Sequence, residues 1–187
     1  MLNFSPRKKG NSAGLVGVMA EGLKEKDAEV FSYSINDMNL LPCKACSVCK
    51  TKDTAFCAQE DDFTKMISLL DECDGIVFAA PVYFGQIPGT AKNFIDRLYC
   101  FFNPAKTEPL FTPKEPKKMA VLLPCGGGDP ASYQHIADWV GGCFRTIGIT
   151  ESKSLIHNGL NGLWDPEEPG RAAFAKEAVE LADWLLS

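Results

Sequence analysis

The segment Ser5-Pro6-Arg7-Lys8-Lys9-Gly10-Asn11-Ser12 combines hydroxyls, an amide, cationic side chains and a glycine, and it lies between a predicted strand and a predicted helix. Such a segment suits a phosphate monoester, because backbone N–H groups and the helix dipole favour an anion at a helix N-terminus. It matches neither the dinucleotide pattern G-x-G-x-x-G nor the Walker A pattern. We interpret it as a phosphate-binding loop; the alternative is an ordinary turn and helix cap followed by surface lysines.

Two further loops follow predicted strands: Pro81-Val82-Tyr83-Phe84-Gly85-Gln86-Ile87-Pro88-Gly89 and Pro124-Cys125-Gly126-Gly127-Gly128-Asp129. Ligands of open α/β sheets bind at the carboxyl ends of the strands, where these loops begin. An aromatic pair beside glycines offers flat apolar contact and backbone N–H groups to a planar heteroaromatic ring, and a glycine run lets the backbone approach a ligand closely. The alternatives are aromatic residues packed into the core and a flexible turn.

A third feature is a run of cysteines in the spacing C-x2-C-x2-C-x7-C, namely Cys43, Cys46, Cys49 and Cys57. The first spacings resemble a ferredoxin ligand run, in which thiolates surround one iron–sulfur cluster. Structural zinc sites usually separate two C-x2-C pairs by about a dozen residues or more, so the compact run disfavours zinc. The run predicts either an iron–sulfur site or a structural loop.

Predicted helices and strands alternate along the chain, which indicates a parallel sheet with helices on both faces. Strands are predicted at residues 1–4, 28–35, 75–80, 118–124 and 150–156, and helices at 12–25, from 61 through 70, and at 88–102, 130–147 and 168–186. The first strand is short against the usual length of about 5 to 6 residues. Asp61 and Asp62 are interpreted as helix N-terminal residues favoured by the dipole. The long connections are a cysteine-bearing loop at 36–60 and a Pro-rich excursion at 103–117.

Composition predicts one globular domain over residues 1–187, since 45% of the residues are hydrophobic and 23% are charged. The net charge of −5 gives no electrostatic reason to bind nucleic acid or an anionic membrane. No apolar run approaches the roughly 18 residues that span a bilayer, and the N-terminus lacks the pattern of a signal peptide. We therefore expect a cytoplasmic protein, in which clustered cysteines indicate metal or redox chemistry rather than disulfides.

The sequence offers no acid–base or nucleophilic constellation. It has two histidines, His135 and His157, without an H-x-x-x-H pair and without a G-x-S-x-G elbow, so no catalytic residue is predicted. Asp96 and Arg97 are interpreted as structural. The apolar stretch 98–102 predicts burial under the Pro-rich excursion or against a second subunit.

Taken together, the three loops, the helix segment K-N-F-I-D-R at 92–97 and the cysteine run resemble the NADPH-dependent FMN reductase family, especially its iron–sulfur flavoprotein branch. The resemblance implies a three-layer, flavodoxin-like α/β fold with a five-stranded parallel sheet in the order 2-1-3-4-5. It also implies non-covalently bound FMN. The positions that match phosphate-binding ones are Ser5, Arg7, Asn11 and Ser12. Those that match the isoalloxazine lining are Pro81, Val82, Tyr83, Phe84 and Gly85, with Gly126 and Gly127 at the other edge of the ring.

By the same resemblance, NAD(P)H reduces FMN, which passes electrons to a quinone, free flavin, oxygen or a protein acceptor. The cofactor then carries the chemistry, in agreement with the missing acid–base constellation. The rival hypothesis is an electron carrier that takes electrons from ferredoxin through a [4Fe-4S] cluster on the cysteine run. Similar runs followed by an acidic pair also occur in family members without a cluster, so both remain open. A domain that has lost its cofactor is disfavoured by the three intact loops. A homodimer or homotetramer is also implied.

Overall fold

Five parallel strands form one sheet in the order β2-β1-β3-β4-β5, which is the predicted order. The computed structural model describes residues 1–51, 56–102, 116–159 and 161–187. The strands are β1 (Leu2–Asn3), β2 (Tyr33–Ser34), β3 (Gly75–Ala79), β4 (Lys117–Pro124) and β5 (Ile149–His157). The helices are α1 (Asn11–Lys24), α2 (Asp62–Lys65), α3 (Ile67–Glu72), α4 (Gly89–Arg97), α5 (Gln134–Phe144) and α6 (Pro169–Leu186).

The strands of the sheet are shortest at its β2 edge. β1 comprises two residues, as its predicted shortness suggested, and β2 pairs with it through Tyr33 and Ser34 alone. The prediction of a strand over 28–35 was too long, because an edge strand can extend its ladder only as far as its neighbour reaches. β4 and β5 make the longest pairing, and β3 lies between β1 and β4.

Three predicted helices are shorter or interrupted. The helix expected from Asp61 through Leu70 divides at Met66 into α2 and α3. The helix expected over 88–102 ends at Arg97 and continues as a 3-10 turn, Leu98–Phe101. The helix expected over 130–147 has 3-10 turns at both ends of α5, as helix termini commonly do.

The core consists of two layers of side chains, one on each face of the sheet. Alternate residues of β3 point to opposite faces, so Phe78 joins the cluster covered by α2 to α5, whereas Val77 joins the cluster covered by α1 and α6. In the first cluster the Phe4 ring lies 4.6 Å from that of Phe78 and 5.5 Å from that of Phe94. The predicted three-layer arrangement with helices on both faces is therefore confirmed.

Most of the predicted Pro-rich excursion, residues 103–115, lies outside the described residues. Among the helices of the described ranges, none has the length and apolarity needed to cross a lipid bilayer.

Candidate functional site

The loop between β1 and α1 folds tightly on itself. The Arg7 N–H donates to Ser5 Oγ at 3.2 Å, and the Gly10 N–H donates to the Arg7 carbonyl at 3.0 Å. A Cβ atom at Gly10 would lie 3.0 Å from the Arg7 Cβ and 3.2 Å from the Arg7 carbonyl oxygen, so this close approach favours glycine. The tight loop delivers the chain directly to the first residue of α1, Asn11.

The N-terminus of α1 carries a buried hydroxyl that the described residues leave without an acceptor. Gly10 occupies the N-cap position and supplies no side-chain acceptor. The Oγ of Ser12, in the first turn, is buried and has no hydrogen-bond partner within the described ranges. A buried unsatisfied hydroxyl costs about 1–3 kcal/mol. An anion at this helix end would accept hydrogen bonds from Ser12 and from the first-turn N–H groups, and the helix dipole would favour it.

The other predicted phosphate ligands lie around this helix end. Ser5 is buried, but its hydroxyl is engaged with Arg7 backbone atoms. Asn11 is buried, and its Oδ1 accepts a hydrogen bond from Arg171 Nε at 2.9 Å. Arg7 is exposed. The structure therefore brings all four predicted positions into one short loop, with Asn11 and Ser12 at its helical end.

The loop after β3 forms a tight turn that holds its aromatic residues in solvent. Tyr83 and Gln86 exchange backbone hydrogen bonds of 2.8 and 3.0 Å, and the two residues between them, Phe84 and Gly85, have φ angles of 49° and 72°. Positive φ at both central positions defines a type I′ turn, which is strained for phenylalanine. Tyr83 is 42% exposed and the Phe84 side chain is fully exposed, so neither is a core residue. Pro81 and Val82 are half-buried at the base of the turn.

In the loop after β4, three side chains hold the carbonyl groups of Gly126–Gly128. Asn161 Nδ2 donates to Gly126 at 3.2 Å, Tyr133 Oη to Gly127 at 3.1 Å and Asn158 Nδ2 to Gly128 at 2.6 Å. Within the part of the chain that the structure describes, the N–H groups of these glycines donate no hydrogen bonds. The loop therefore keeps backbone donors for the acceptors of a ligand.

The three loops lie side by side along the carboxyl edge of the sheet. The Phe4 N–H donates to the Ala79 carbonyl at 2.8 Å, which joins the start of the first loop to the end of β3. The Val82 N–H donates to the Pro124 carbonyl at 3.4 Å, which joins the second loop to the third. The combination of an anion-ready helix end, exposed aromatics and glycine N–H groups fits a flavin mononucleotide, with its phosphate at one end and its planar ring at the other.

The cysteine run lies elsewhere, between β2 and α2. Cys43 and Cys46 are exposed, and Cys49 and Cys57 are half-buried. Burial raises the pKa of the Cys49 thiol, and the thiols of Cys57, Cys46 and Cys43 are near enough to add to this, whereas Lys50 opposes it. In the described ranges, however, no three His, Cys, Asp or Glu side chains converge as metal ligands do. The iron–sulfur site at Cys43, Cys46, Cys49 and Cys57 thus stays a prediction.

A buried ion pair closes the base of the cysteine loop. The guanidinium of Arg97, in α4, makes a two-pronged contact with the Asp61 carboxylate at 2.6 and 2.9 Å, and both side chains are fully buried. Arg97 also donates to the Leu41 carbonyl at 2.7 Å, and the Leu41 N–H donates to Asp61 at 2.9 Å. Burial alone raises the pKa of Asp61, but the hydrogen bonds from Arg97 and Leu41 and the charge of Arg97 outweigh it, so the net direction is downward.

The same loop covers part of the apolar stretch at 98–102. The Lys50 ammonium lies 3.4 Å from the centroid of the Tyr99 ring and donates to the carbonyls of Tyr99 and Phe102. The rings of Phe56 and Phe101 meet edge to face at 5.2 Å. The predicted cover of this stretch, the Pro-rich excursion or a second subunit, stays a prediction, since most of the excursion lies outside the described residues. Asp61 also caps α2, which confirms its predicted position.

Sequence reasoning missed the residues that support the loops from behind. Arg171, Asn161 and Trp164 follow β5 and contact the first or third loop. Thr90, in the first turn of α4 behind the second loop, has a buried Oγ1 without a partner in the described residues. A usable signal was the Asn- and Gly-containing segment after β5, because it is a fourth loop at the same sheet edge.

Comparison with known proteins identifies the family of this chain. The family model of NADPH-dependent FMN reductases matches residues 1–137. The chain is 33% identical to an iron-sulfur flavoprotein of Methanosarcina thermophila over 192 residues, which covers 98% of this chain and 93% of that protein.

Solved structures share the fold. An NAD(P)H:quinone oxidoreductase from Methanothermobacter marburgensis has a TM-score of 0.74 and 15% identity, with coverage of 100% of this chain and 95% of that one. An FMN-dependent NADH-azoreductase from Bacillus anthracis, solved in complex with FMN, has a TM-score of 0.71 and 16% identity, with coverage of 100% and 97%. The chain therefore belongs to the NADPH-dependent FMN reductase family of flavin-binding oxidoreductases.

Proposed function

We propose that this chain is an NAD(P)H-dependent reductase that uses FMN held by the three loops at the carboxyl edge of the sheet and delivers electrons to a quinone, a flavin or another acceptor. The observation that carries the proposal is the N-terminus of α1, where Ser12 Oγ is buried without a partner among the described residues and Gly10 adds no side-chain cap. A phosphate monoester would accept a hydrogen bond from Ser12 Oγ and would lie at the helix end that Gly10 leaves without a side-chain cap.

Different residues would bind different parts of the cofactor. Ser5, Arg7, Asn11 and Ser12 would hold the phosphate. The exposed Tyr83 and Phe84, with Pro81, Val82 and Gly85, would line the isoalloxazine, and the N–H groups of Gly126 and Gly127 would reach its other edge. When bound, FMN supplies the hydride and electron chemistry, so the protein has to place the ring and set its electrostatics.

The chain's own groups suit that task. Glycine N–H groups are fixed dipoles, and their carbonyls are already held by Asn161 and Tyr133, so the loop need not reorganise to receive a ligand. Donors at the ring edge favour the negatively charged, reduced form of a flavin. The strained Phe84 presents an apolar face at the mouth of the site, where it would exclude water from one side of the ring.

The test is anaerobic purification followed by a visible spectrum, iron and acid-labile sulfide analysis, and addition of NADPH and NADH in turn. We expect a two-band flavin spectrum that either nicotinamide bleaches. A chain that takes up no FMN on reconstitution contradicts the proposal.

A second candidate is an iron–sulfur flavoprotein that receives electrons from ferredoxin through a [4Fe-4S] cluster. The spacing of the cysteine run and the name of the Methanosarcina thermophila relative favour it. The lack of three converging metal-ligand side chains among the described residues does not. In the same experiment, about four irons per chain and slow or absent bleaching favour this candidate. Replacing Cys46 by serine should then abolish iron binding, whereas serine at Cys143, outside the run, should preserve it.

We also propose that the protein forms a homodimer or homotetramer and acts in the cytoplasm. A cavity of about 600 Å³ runs beside α4 and α5 and is lined mainly by apolar side chains, including Tyr99, Phe102 and Trp139. These three aromatic side chains are 54%, 54% and 41% exposed, which is a large apolar surface for a monomer to present. The eight cysteines are free thiols, as a reducing compartment maintains them.

A further inference from the structure

Arg171, near the start of α6, joins three separate segments through one guanidinium. It is 8% exposed. Its Nε donates to Asn11 Oδ1 at 2.9 Å, its Nη1 to Glu168 Oε2 at 3.0 Å and its Nη2 to the Asn161 carbonyl at 2.5 Å. Because a guanidinium is planar and rigid, these contacts fix the three segments relative to one another.

The contact with Asn11 determines how the phosphate loop presents its amide. Arg171 Nε–H is a donor, so it binds the oxygen end of the Asn11 amide and disfavours the flipped orientation. Arg171 is itself held in place, since Glu168 caps α6 by accepting the N–H groups of Gly170 and Arg171 at 3.2 and 3.1 Å. Loss of the guanidinium would remove the hydrogen bond that holds the oxygen of the Asn11 amide.

Asn161 performs the corresponding task for the third loop. Its backbone carbonyl is bound by Arg171, and its side chain donates to the Gly126 carbonyl at 3.2 Å. A Cβ atom at Gly126 would lie 2.8 Å from Asn161 Oδ1, so the two residues are in close contact. Arg171 therefore supports the loop at the phosphate end of the proposed cofactor, and Asn161 supports the loop at its ring end.

Trp164 gives the phosphate loop a second support from the same segment. Its backbone N–H donates to the Lys9 carbonyl at 2.9 Å. Its ring lies so close to Gly14 that a Cβ atom there would be 2.1 Å from it. The segment thus packs directly against the loop and the first turns of α1, while the family match ends earlier, at residue 137.

We propose that Arg171 and Asn161 are positioning residues with separate duties: Arg171 sets the phosphate end of the site through Asn11, and Asn161 sets the ring end through Gly126. This inference rests on the proposed function, because it assumes that the three loops bind FMN. It predicts that the two residues contribute differently to the binding of FMN and of riboflavin, which has the same ring without the phosphate.

The experiment measures dissociation constants of FMN and riboflavin for the flavin-free full chain by quenching of flavin fluorescence. Arg171→Met should weaken FMN binding about tenfold, which corresponds to about 1.4 kcal/mol. It should change riboflavin binding less than about twofold, because the Asn161 side chain keeps its own hydrogen bond to the Gly126 carbonyl. Asn161→Ala should weaken both flavins by the same factor. Lys176→Met, an exposed cation on the same helix, is the matched control and should leave both constants unchanged.

Two further variants keep the test decisive if Arg171→Met does not fold. Glu168→Gln keeps the Arg171 guanidinium but weakens its ion pair with residue 168. Arg171→Lys keeps the positive charge but cannot make the several hydrogen bonds of the guanidinium. Both should reduce the preference for FMN over riboflavin, by less than Arg171→Met. Equal losses for both flavins in the Arg171 variants, or no loss, would overturn the inference while leaving the proposed function intact. Failure of the unmodified chain to bind either flavin would overturn both.

Discussion

At the scale of single residues, Ser12 can be tested for a role in binding as opposed to a role in the fold, because its buried hydroxyl has no partner in the described residues. Ser12→Ala removes a buried polar group that lacks a partner in the described residues, so the flavin-free protein should keep or gain stability. The same change removes a hydrogen bond to the phosphate, and bonds to charged groups contribute about 1.5–3 kcal/mol, so FMN affinity should fall at least about tenfold. Thermal unfolding without flavin and FMN titration measure the two effects.

The matched control is Ser68→Ala, on an exposed face of α3, which should alter neither quantity. A Ser12→Ala protein that loses stability without flavin and retains full FMN affinity would show that the hydroxyl serves the fold instead.

At the scale of elements, the ion pair between Asp61 and Arg97 joins the base of the cysteine loop to α4. Asp61→Asn leaves the Arg97 charge buried without its partner, which should cost about 3–5 kcal/mol of unfolding free energy. Because the folded-state pKa of Asp61 is lowered, its contribution is complete above the unfolded pKa of about 3.9 and is lost as the pH falls through the lower folded value. Urea unfolding from pH 7 to pH 3 measures both effects.

The neighbouring Asp62→Asn variant is the control, since Asp62 bonds to Lys65 and to the Asn39 N–H near the surface. Asp61→Asn should be the less stable of the two at pH 7, and its stability should depend less on pH below about 4 than that of the unmodified chain. Equal stability of the two variants at pH 7 would contradict a stabilising role of the ion pair between Asp61 and Arg97.

At the scale of the whole molecule, FMN should stabilise the fold by mass action. At a free concentration one hundred times its dissociation constant, a ligand that binds only the folded state adds about 2.7 kcal/mol. For a chain of this size that corresponds to a rise in Tm of about 5–10 °C. Scanning calorimetry at increasing FMN concentration checks this, with FAD as a comparison for phosphate-end selectivity. A Tm that does not change with FMN contradicts the assigned site.

Assembly is the second property at this scale. Trp139 lines both the cavity beside Tyr99 and a neighbouring one of about 510 Å³. Trp139→Glu places a charge in this apolar surface and should shift the protein toward monomer in sedimentation velocity experiments, because a buried unpaired charge is costly. Phe31→Glu, at an exposed aromatic before β2, should leave the assembly unchanged. A monomeric unmodified chain would contradict the proposed assembly.

Local patterns in the sequence were sufficient to predict the elements and the place of the three loops. The uncharged stretch around Val77 indicated a strand covered on both faces, and the loops that follow such strands must meet at one edge of a parallel sheet. Strand order and the two-sided helical cover followed from resemblance and alternation. The elements and the loops depend on residues close together in the chain, so a single sequence is enough to predict them, whereas the strand order needed the resemblance.

Tertiary structure alone decided the contacts that support the site. Arg171 and Asn11 are 160 residues apart in sequence, and Asp61 and Arg97 are 36 apart, yet each pair is joined by buried hydrogen bonds. No periodicity specifies which buried polar groups will meet, because each pairing depends on how the surrounding helices pack onto the sheet. The division of the helix at Met66 and the shortness of β2 also depend on tertiary structure. In both, packing against neighbouring elements and the length of the adjacent strand override local propensity.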